Sequence, residues 1–344
     1  MKNIVLCFDH AHGQPGTHDA TNAAALLRLL AQTDEQLIWY DPGTRARPVR
    51  SGLPAVGGAD AGESRTAIAE AYGFLMRHWR PGDGIFVLGV GPSGIRAREL
   101  CRLLATFGVA DDRSRHLLDY ALATYVLPRT QRTRQDWARV SRLAARLAGR
   151  REIGVAVRYL GLWNTTVAAG LSSSHPAEPL RNTRSGRHAV AIDGGLFPTQ
   201  LVTPADDGLE TVWFRGTHRD VTGGPGACWP LADIALDWVL DGAVAAGVIL
   251  RDGAGECAPA PGEQDALAGT APAVSRRRLP ADAVVHASVE VYLRAHPQYW
   301  RRLPARVVWA DPDWLARGER LVPMAGQAPH VVRHTGRAAL TAAS

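Results

Sequence analysis

Gly82-Asp83-Gly84-Ile85-Phe86-Val87-Leu88-Gly89-Val90-Gly91-Pro92-Ser93-Gly94 is the stretch on which the reading of this chain turns. Ile85 to Leu88 is an unbroken apolar run of strand length. A turn rich in glycine follows, and apolar residues then recur at helical spacing through 95–107. Strand, tight turn and helix form the setting of the G-x-S-x-G motif, in which a serine is held on a strained turn above a sheet. Here the frame reads Gly89-Val90-Gly91-Pro92-Ser93, so glycine stands where that serine would be. The turn is kept and the reactive side chain is gone.

The rest of the chain supplies the sheet that such a turn needs. Apolar runs at 3–8, 36–40, 84–88, 153–162, 189–192 and 210–214 read as buried strands. Helical periodicity falls at 22–31, 64–79, 95–107, 137–148, 231–246 and 284–294. Strands that are apolar throughout and alternate with helices predict an α/β fold, its central sheet mainly parallel and covered by helices on both faces. Ligands of such sheets bind beyond the carboxyl ends of the strands. Asp9, Gly91, Asn164, Asp193 and His218 each follow an expected strand, so they are expected to line one cleft. One main domain is expected over 1–314. It carries a helical, lid-like insertion at 109–150 and a long surface loop rich in Ala, Pro and Gly at 251–281, and a C-terminal tail follows at 315–344.

With 344 residues, 46% of them hydrophobic and 21% charged, the chain can bury a large core. The formal net charge is +6, and its positive side is almost wholly arginine, since Lys2 is the only lysine. These charges are scattered, not gathered into an arm, and no nucleic-acid partner is expected. No apolar run is long enough to span a bilayer. The apolar stretch after Lys2 is too short for the core of a secretory signal. Cys7, Cys101, Cys228 and Cys257 form neither a C-x-x-C pair nor a zinc spacing. Reduced cysteines and a cytoplasmic chain are the expectation, with export by a specialised secretion system left open.

Several residues near the expected cleft carry competing readings. Ser93 is either a nucleophile displaced by two residues or the N-cap of the helix that follows, the ordinary use of serine at such a junction. Asp193 is either a turn residue before Gly194-Gly195 or an acid able to orient His218. His10, His12, His218 and Asp220 form a candidate ligand set for zinc or another divalent ion, which would activate water without a serine. The plainer reading makes them loop residues, with Asp9 and Asp220 anchoring their loops through backbone hydrogen bonds. On that reading no metal and no other cofactor is expected.

Longer motifs run through the chain in a fixed order. They begin with Lys2-Asn3-Ile4-Val5 and Asp9, then Tyr40-Asp41-Pro42-Gly43, Ala71-Tyr72-Gly73-Phe74-Leu75, Pro81-Gly82-Asp83, Ile85-Phe86, and Ala97-Arg98 with Leu100. They continue through Gly161-Leu162-Trp163-Asn164-Thr165, Val212-Trp213-Phe214-Arg215-Gly216-Thr217-His218-Arg219-Asp220-Val221, Leu231-Ala232-Asp233-Ile234-Ala235-Leu236-Asp237-Trp238 and His286-Ala287-Ser288-Val289. From about residue 2 to residue 314 this series resembles the α/β-hydrolase catalytic domain of type VI secretion phospholipase effectors, also known as a bacterial domain of unknown function. The resemblance implies an α/β-hydrolase fold and a serine, an acid and a histidine for cleaving esters or phospholipids. The serine position is Gly91, the acid position is Asn164, and His218 alone remains. Pro92 replaces the arginine usual after the serine, and His10-Ala11 replaces the Gly-Thr of the first turn.

Each departure removes a part of acyl transfer. Glycine has nothing to attack with, and asparagine carries no charge to stabilise an imidazolium. In serine proteases the aspartate-to-asparagine change alone lowers turnover by about 10⁴. Proline lacks the backbone N–H that these hydrolases use, after the nucleophile, to hold the oxyanion. The expectation is a pseudo-hydrolase that keeps its cleft for a small-molecule or lipid-like ligand or a protein partner. The alternative is an active ester or phospholipid hydrolase, working through Ser93 with His218 or through metal-bound water at His10, His12 and His218.

Overall fold

Every residue of Asn3–Phe8 is buried, which requires cover on both faces of the sheet it joins. In the computed structural model this segment is strand β1. The strands that follow are β2 (Gln36–Asp41), β3 (Gly84–Val90), β4 (Tyr159–Trp163), β5 (Thr166–Ala168), β6 (Gly186–Ala191), β7 (Thr199–Leu201), β8 (Glu210–Phe214), β9 (Val284–His286) and β10 (Val308–Ala310). The helices are α1 (Asn22–Leu27), α2 (Ala59–His78), α3 (Gly94–Phe107), α4 (Arg134–Leu147), α5 (His218–Thr222), α6 (Trp229–Ala245), α7 (Glu263–Ala266) and α8 (Ser288–Ala295). The structure describes residues 1–10, 20–43, 59–109, 134–147, 153–168, 180–194, 199–201, 208–254, 258–270 and 277–316.

Eight strands form one sheet in the order β10-β9-β8-β6-β4-β3-β1-β2, with every neighbouring pair parallel. β5 and β7 make a separate antiparallel pair. Successive side chains of a strand point to opposite faces, and the sheet accordingly divides its apolar residues between two cores. Val5, Cys7, Phe86, Leu88, Val90 and Trp163 pack with α1 and α6. Ile4, Leu6, Phe8, Ile85, Val87, Leu160 and Leu162 pack with α2 and α3. This is the α/β-hydrolase-like arrangement expected, with helices on both faces.

The strand order also places the site. From β1 the chain goes to β2 on one side and then returns past β1 to β3 on the other. The connections leaving β1 and β3 therefore diverge, opening a crevice at the carboxyl ends of these two strands. Phe8 pairs with Gly89 across that junction, so Asp9 and His10 emerge beside Gly91.

Some expected boundaries are corrected. The run at 153–162 becomes a strand only from Tyr159. Before it, the Val155 N–H donates to the Leu104 carbonyl, so this stretch ties down the end of α3 instead of extending the sheet. The helix expected at 284–294 divides into β9 and α8, because the β-branched pair Val284-Val285 joins the sheet edge before the helix starts. Over its described part, 251–281 mixes exposed residues, among them Arg251, Asp252 and Glu263, with buried ones. It contains α7, and Ala254 and Ala266 are buried in the larger core. Small side chains are what allow this segment, which lacks an apolar period, to pack closely. Of the lid-like insertion, α4 shows Arg139, Arg142 and Arg146 exposed and Ala145 buried. Most of the rest of 109–150, and the tail beyond 316, lie outside the described residues. No described helix is long and apolar enough to cross a membrane.

Helix α3 can leave the turn so abruptly because of two glycines. A Cβ on Gly89 would stand 2.6 Å from the Gly94 Cα, and one on Gly94 would overlap the Thr165 hydroxyl and lie 2.9 Å from its Cγ2. Gly94→Ala is therefore expected to destabilise the fold by about 1–3 kcal/mol, as overpacking does. Urea unfolding measures this against Gly269→Ala, whose added methyl meets nothing. Equal stability of the two variants would refute the close approach.

Candidate active site

The end of β1 is fixed by a buried carboxylate. Asp9 Oδ2 accepts from the Thr21 hydroxyl at 2.5 Å and the Tyr40 hydroxyl at 2.9 Å, and Oδ1 accepts from the His10 N–H at 2.7 Å. Burial raises the Asp9 pKa, against the opposing effects of His10 and these hydrogen bonds. All of this makes Asp9 an anchor that joins β1 to β2 and to the cap of α1.

The elbow follows β3 as a single 3₁₀ turn, Gly91–Ser93. Gly91 takes the left-handed backbone, with φ of +54°. A Cβ at this position would stand 2.9 Å from His218 Cε1, and 3.2 Å from both His218 Nε2 and His10 Cε1. The strained shape of a nucleophile turn is thus present and aimed at His218, but His218 leans into the space a side chain would use. Ser93 is buried, and its hydroxyl donates to the Asp9 carbonyl at 2.9 Å. Ser93 occupies the N-cap position of α3 without making the expected capping hydrogen bond. Its backbone is already helical there, at φ −72° and ψ −12°, because the 3₁₀ turn runs straight into the helix.

His218 opens α5. Its Nδ1 lies 2.6 Å from Asn164 Nδ2. Asn164 follows β4 with φ of 44°, a left-handed conformation that asparagine tolerates better than most residues. Its Oδ1 accepts from Arg277 Nη1 at 2.7 Å and from the Ala191 N–H at 3.1 Å. Two donors on Oδ1 fix which way the amide faces, and its NH₂ group is left to donate to His218 Nδ1. The neutral imidazole must then carry its proton on Nε2, the nitrogen nearer Gly91. Burial, reinforced by the charges of His10, Arg277 and Arg219, pushes the His218 pKa down to about 3. At neutral pH His218 presents an N–H to Gly91, whereas a general base must present a lone pair.

The remaining acidic candidates are engaged elsewhere. Asp193 Oδ2 accepts from the Gly216 N–H and the Tyr299 hydroxyl, and Oδ1 from Arg302 at 2.5 Å. It does not orient His218, whose Nδ1 is taken by Asn164. Asp220 accepts from the N–H and hydroxyl of Thr217 and from the Cys228 N–H. This holds the turn before α5 and the start of α6. The His10 and His218 rings approach to 5.8 Å between centroids, His12 lies outside the described residues, and Asp220 is turned to its cap. Among the described residues no group of three or more His, Cys, Asp or Glu side chains is placed to hold a metal ion.

With this geometry in view, the chain can be set beside known proteins. The family model for the catalytic domain of Tle1-like phospholipase effectors of the type VI secretion system matches residues 2–242. The chain belongs to this family. An uncharacterized Saccharomyces cerevisiae protein, YEL023C, is 26% identical over 224 residues, which cover 59% of this chain and 33% of that protein. Sequences of this kind are therefore not confined to bacteria. Among solved structures, an uncharacterized Pseudomonas aeruginosa protein matches with a TM-score of 0.41 at 15% identity, over 73% of this chain and 47% of its own. The Tle1 effector bound to the VgrG spike matches with a TM-score of 0.34 at 14% identity, over 64% of this chain and 50% of its own. The chain thus spans about a third of the yeast relative and about half of these two structures.

For this member of the Tle1-like family, the structure brings Gly91, His10, His218 and Asn164 together, and it keeps Asp193 and Asp220 apart from them. Arg277 was not anticipated. It lies outside the family match and at the end of a segment without periodicity, within the run Arg276-Arg277-Arg278, and in an arginine-rich chain no spacing singles it out. His188 was also missed. Its buried Nε2 accepts from the Thr165 N–H at 3.1 Å, holding the turn that carries Asn164.

Burial, with the charges of Arg98 and Arg277, pushes the His188 pKa down to about 3, as it does for His218. Below the ordinary histidine value of 6.5, the unfolded chain takes up protons at both rings that the folded chain refuses until about pH 3. Stability is therefore full above 6.5 and declines as the pH falls through that window. Urea midpoints measured across it should drop with pH, and less steeply in His188→Gln. A midpoint independent of pH would mean that these rings protonate freely in the fold.

Proposed function

We propose that this Tle1-like domain is a pseudo-hydrolase, whose cleft binds a small-molecule or lipid-like ligand, or a segment of a partner protein, without cleaving it. The observation that carries this reading is the hydrogen bond from Asn164 to His218 Nδ1, with the Asn164 amide held in place by Arg277 and Ala191. Acyl transfer needs a base that takes a proton from the nucleophile and an acid that stabilises the resulting imidazolium. Here the ring offers a proton at Nε2, and a second positive charge on it would face Arg277 with no carboxylate in between. Gly91 supplies no nucleophile, and Pro92 supplies no N–H for an oxyanion. Losses of nucleophile, acid and oxyanion donor together describe a site put to another use.

The Ser93 route has no geometric support, since that hydroxyl is buried and donates to the Asp9 carbonyl. A cytoplasmic setting accompanies the proposal, because Cys7 and Cys101 are free and buried, as in a reducing compartment.

The test is hydrolysis of short-chain and phospholipid esters by the purified protein, with metal content assayed on the same sample. The unmodified chain is expected to show no turnover above buffer, and His218→Ala no change. Gly91→Ser alone should remain nearly inert. Gly91→Ser with Asn164→Asp should exceed it by up to about 10⁴, the factor associated with the acid in serine proteases. Turnover by the unmodified protein that disappears in His218→Ala would overturn the proposal.

A further inference from the structure

The amino ends of the central strands carry a concave site of their own, at the opposite end of the sheet from the cleft. A groove of about 420 Å³ opens there beside the starts of β1, β3 and β4, a volume in the range of small-molecule sites. Trp79 and Pro81 give it apolar lining, and Arg158 and Arg184 give it charge. The Trp79 indole N–H donates to the Asp83 carbonyl at 3.3 Å, which holds the ring in place.

Backbone pairing sets the two arginines side by side. Val157 pairs with Thr183 in parallel and Leu160 with Gly186, so Arg158 and Arg184 are neighbours on adjacent segments. The Arg158 N–H donates to the Ile85 carbonyl at 2.7 Å, and the Arg184 N–H to the Val157 carbonyl at 2.9 Å. Gly84 makes room for the first guanidinium, since a Cβ there would stand 3.0 Å from Arg158 Cζ and 3.1 Å from its Nε. Like charges set opposite one another on neighbouring strands cost stability.

The described chain supplies no counter-charge to this pair. Among the described residues neither guanidinium makes an ion pair or a hydrogen bond, and Arg158 lies over the Phe86 ring at 6.0 Å from its centroid. Among the described residues that line the groove, the one carboxylate is Asp83. Its Oδ1 accepts from the Lys2 N–H at 2.9 Å, its Oδ2 from the Arg80 N–H at 3.0 Å, and Lys2 Nζ lies 3.6 Å from Oδ2. Lys2 thus balances Asp83, which leaves the charges of Arg158 and Arg184. Glu210 and Asp241 pair with Arg187, and Asp34 and Glu35, which precede β2, do not line the groove. The end of α2 adds to the positive field. Burial, with the charges of Arg77, Lys2 and Arg80, lowers the His78 pKa below its ordinary value.

From this arrangement we propose that the groove binds a small organic anion. Its carboxylate or phosphate is held between Arg158 and Arg184, and its apolar body lies against Trp79 and Pro81. Guanidinium forks match the oxygens of both anionic groups, and they are weakly enough hydrated to work partly out of water. The site shares no residue with the cleft, so the proposal does not depend on what the cleft does.

The experiment is isothermal titration calorimetry of the intact chain with naphthoate, naphthyl phosphate and naphthol. At least one of the two anions should bind one-to-one with Kd below about 1 mM. Naphthol, the same apolar body without the charge, should bind at least about tenfold more weakly, the loss expected when charge-assisted hydrogen bonds become neutral ones. Arg184 is exposed, and Arg184→Gln should weaken the anion at least about tenfold while leaving naphthol and the urea midpoint unchanged. Arg158 is half-buried, so Arg158→Gln is paired with Arg158→Lys, which keeps the charge without the fork and should fall between the two. His218→Ala, at the far end of the sheet, should bind the anion as the unmodified chain does.

Binding of naphthoate alone assigns a carboxylate, binding of naphthyl phosphate alone assigns a phosphate, and binding of both assigns either oxyanion. Equal binding of naphthol, an affinity unchanged in Arg184→Gln, a loss in His218→Ala, or no binding by either anion would each overturn the proposal. None of these outcomes bears on ester turnover, so the pseudo-hydrolase reading stands or falls separately.

Discussion

The buried carboxylate of Asp9 is the knot that holds the working end of this molecule. One side chain receives the hydroxyls of Thr21 and Tyr40 and the N–H of His10, and so joins β1 to the cap of α1 and to β2. The backbone of the same residue extends the connection. Its N–H donates to the Asp41 carbonyl, and its carbonyl accepts from Ser93 in the elbow. A carboxylate removed from water is stabilised only if its oxygens are filled, and here each oxygen is filled from a different element of the fold. Position and orientation at the topological switch point are therefore set by one residue that takes no part in the chemistry the family is named for. This explains how the elbow holds its shape with glycine at 91. The strained turn is supported from β1 and from the close glycine contacts beneath α3, not from the reacting group.

Glycine at 91 and asparagine at 164 act on different aspects of the site. Gly91 removes a reactant, whereas Asn164 reverses the direction in which His218 donates. The asparagine is the more informative of the two, because a third residue holds it in order. Arg277 crosses from a distant segment to fix the Asn164 amide, and His188 braces the same turn from beneath through the Thr165 N–H. A buried polar network in which the Asn164 amide has partners on both its oxygen and its nitrogen favours one arrangement.

Much of the framework was legible in the sequence for a plain physical reason. Strands β1 and β3 lie inside the sheet and are apolar and long enough to declare themselves. The two-sided burial of β1 and β3 follows directly from their unbroken hydrophobicity. The last two strands, β9 and β10, are three residues each, too short to show a period, and Val284-Val285 merged into the helix behind it. The site was legible where a motif has fixed spacing, as at Gly91, Asn164 and His218. It was not legible where partners meet only through the fold. Asp193 follows a strand as a catalytic acid would, yet Tyr299 and Arg302 come from more than a hundred residues later to claim it. Arg277 is the same case in reverse, a residue without a local signature that tertiary structure brings to the centre.

The order of strands bears on how such a chain can be built as it is made. Of the described strands β1 is synthesised first and lies inside the sheet, and β2 closes one of its edges early. After that, β3, β4, β6, β8, β9 and β10 each add to the other edge in the order in which they leave the ribosome. No described strand of this sheet has to be inserted between two that are already paired, and each newcomer finds its template in place. Assembly from the N-terminus is thus compatible with the finished topology at every step. The site is assembled in the course of that process. Asn164 and His218 can face each other once β8 and α5 have docked, and Arg277 reaches the Asn164 amide afterwards, before β9 and β10 complete the described sheet.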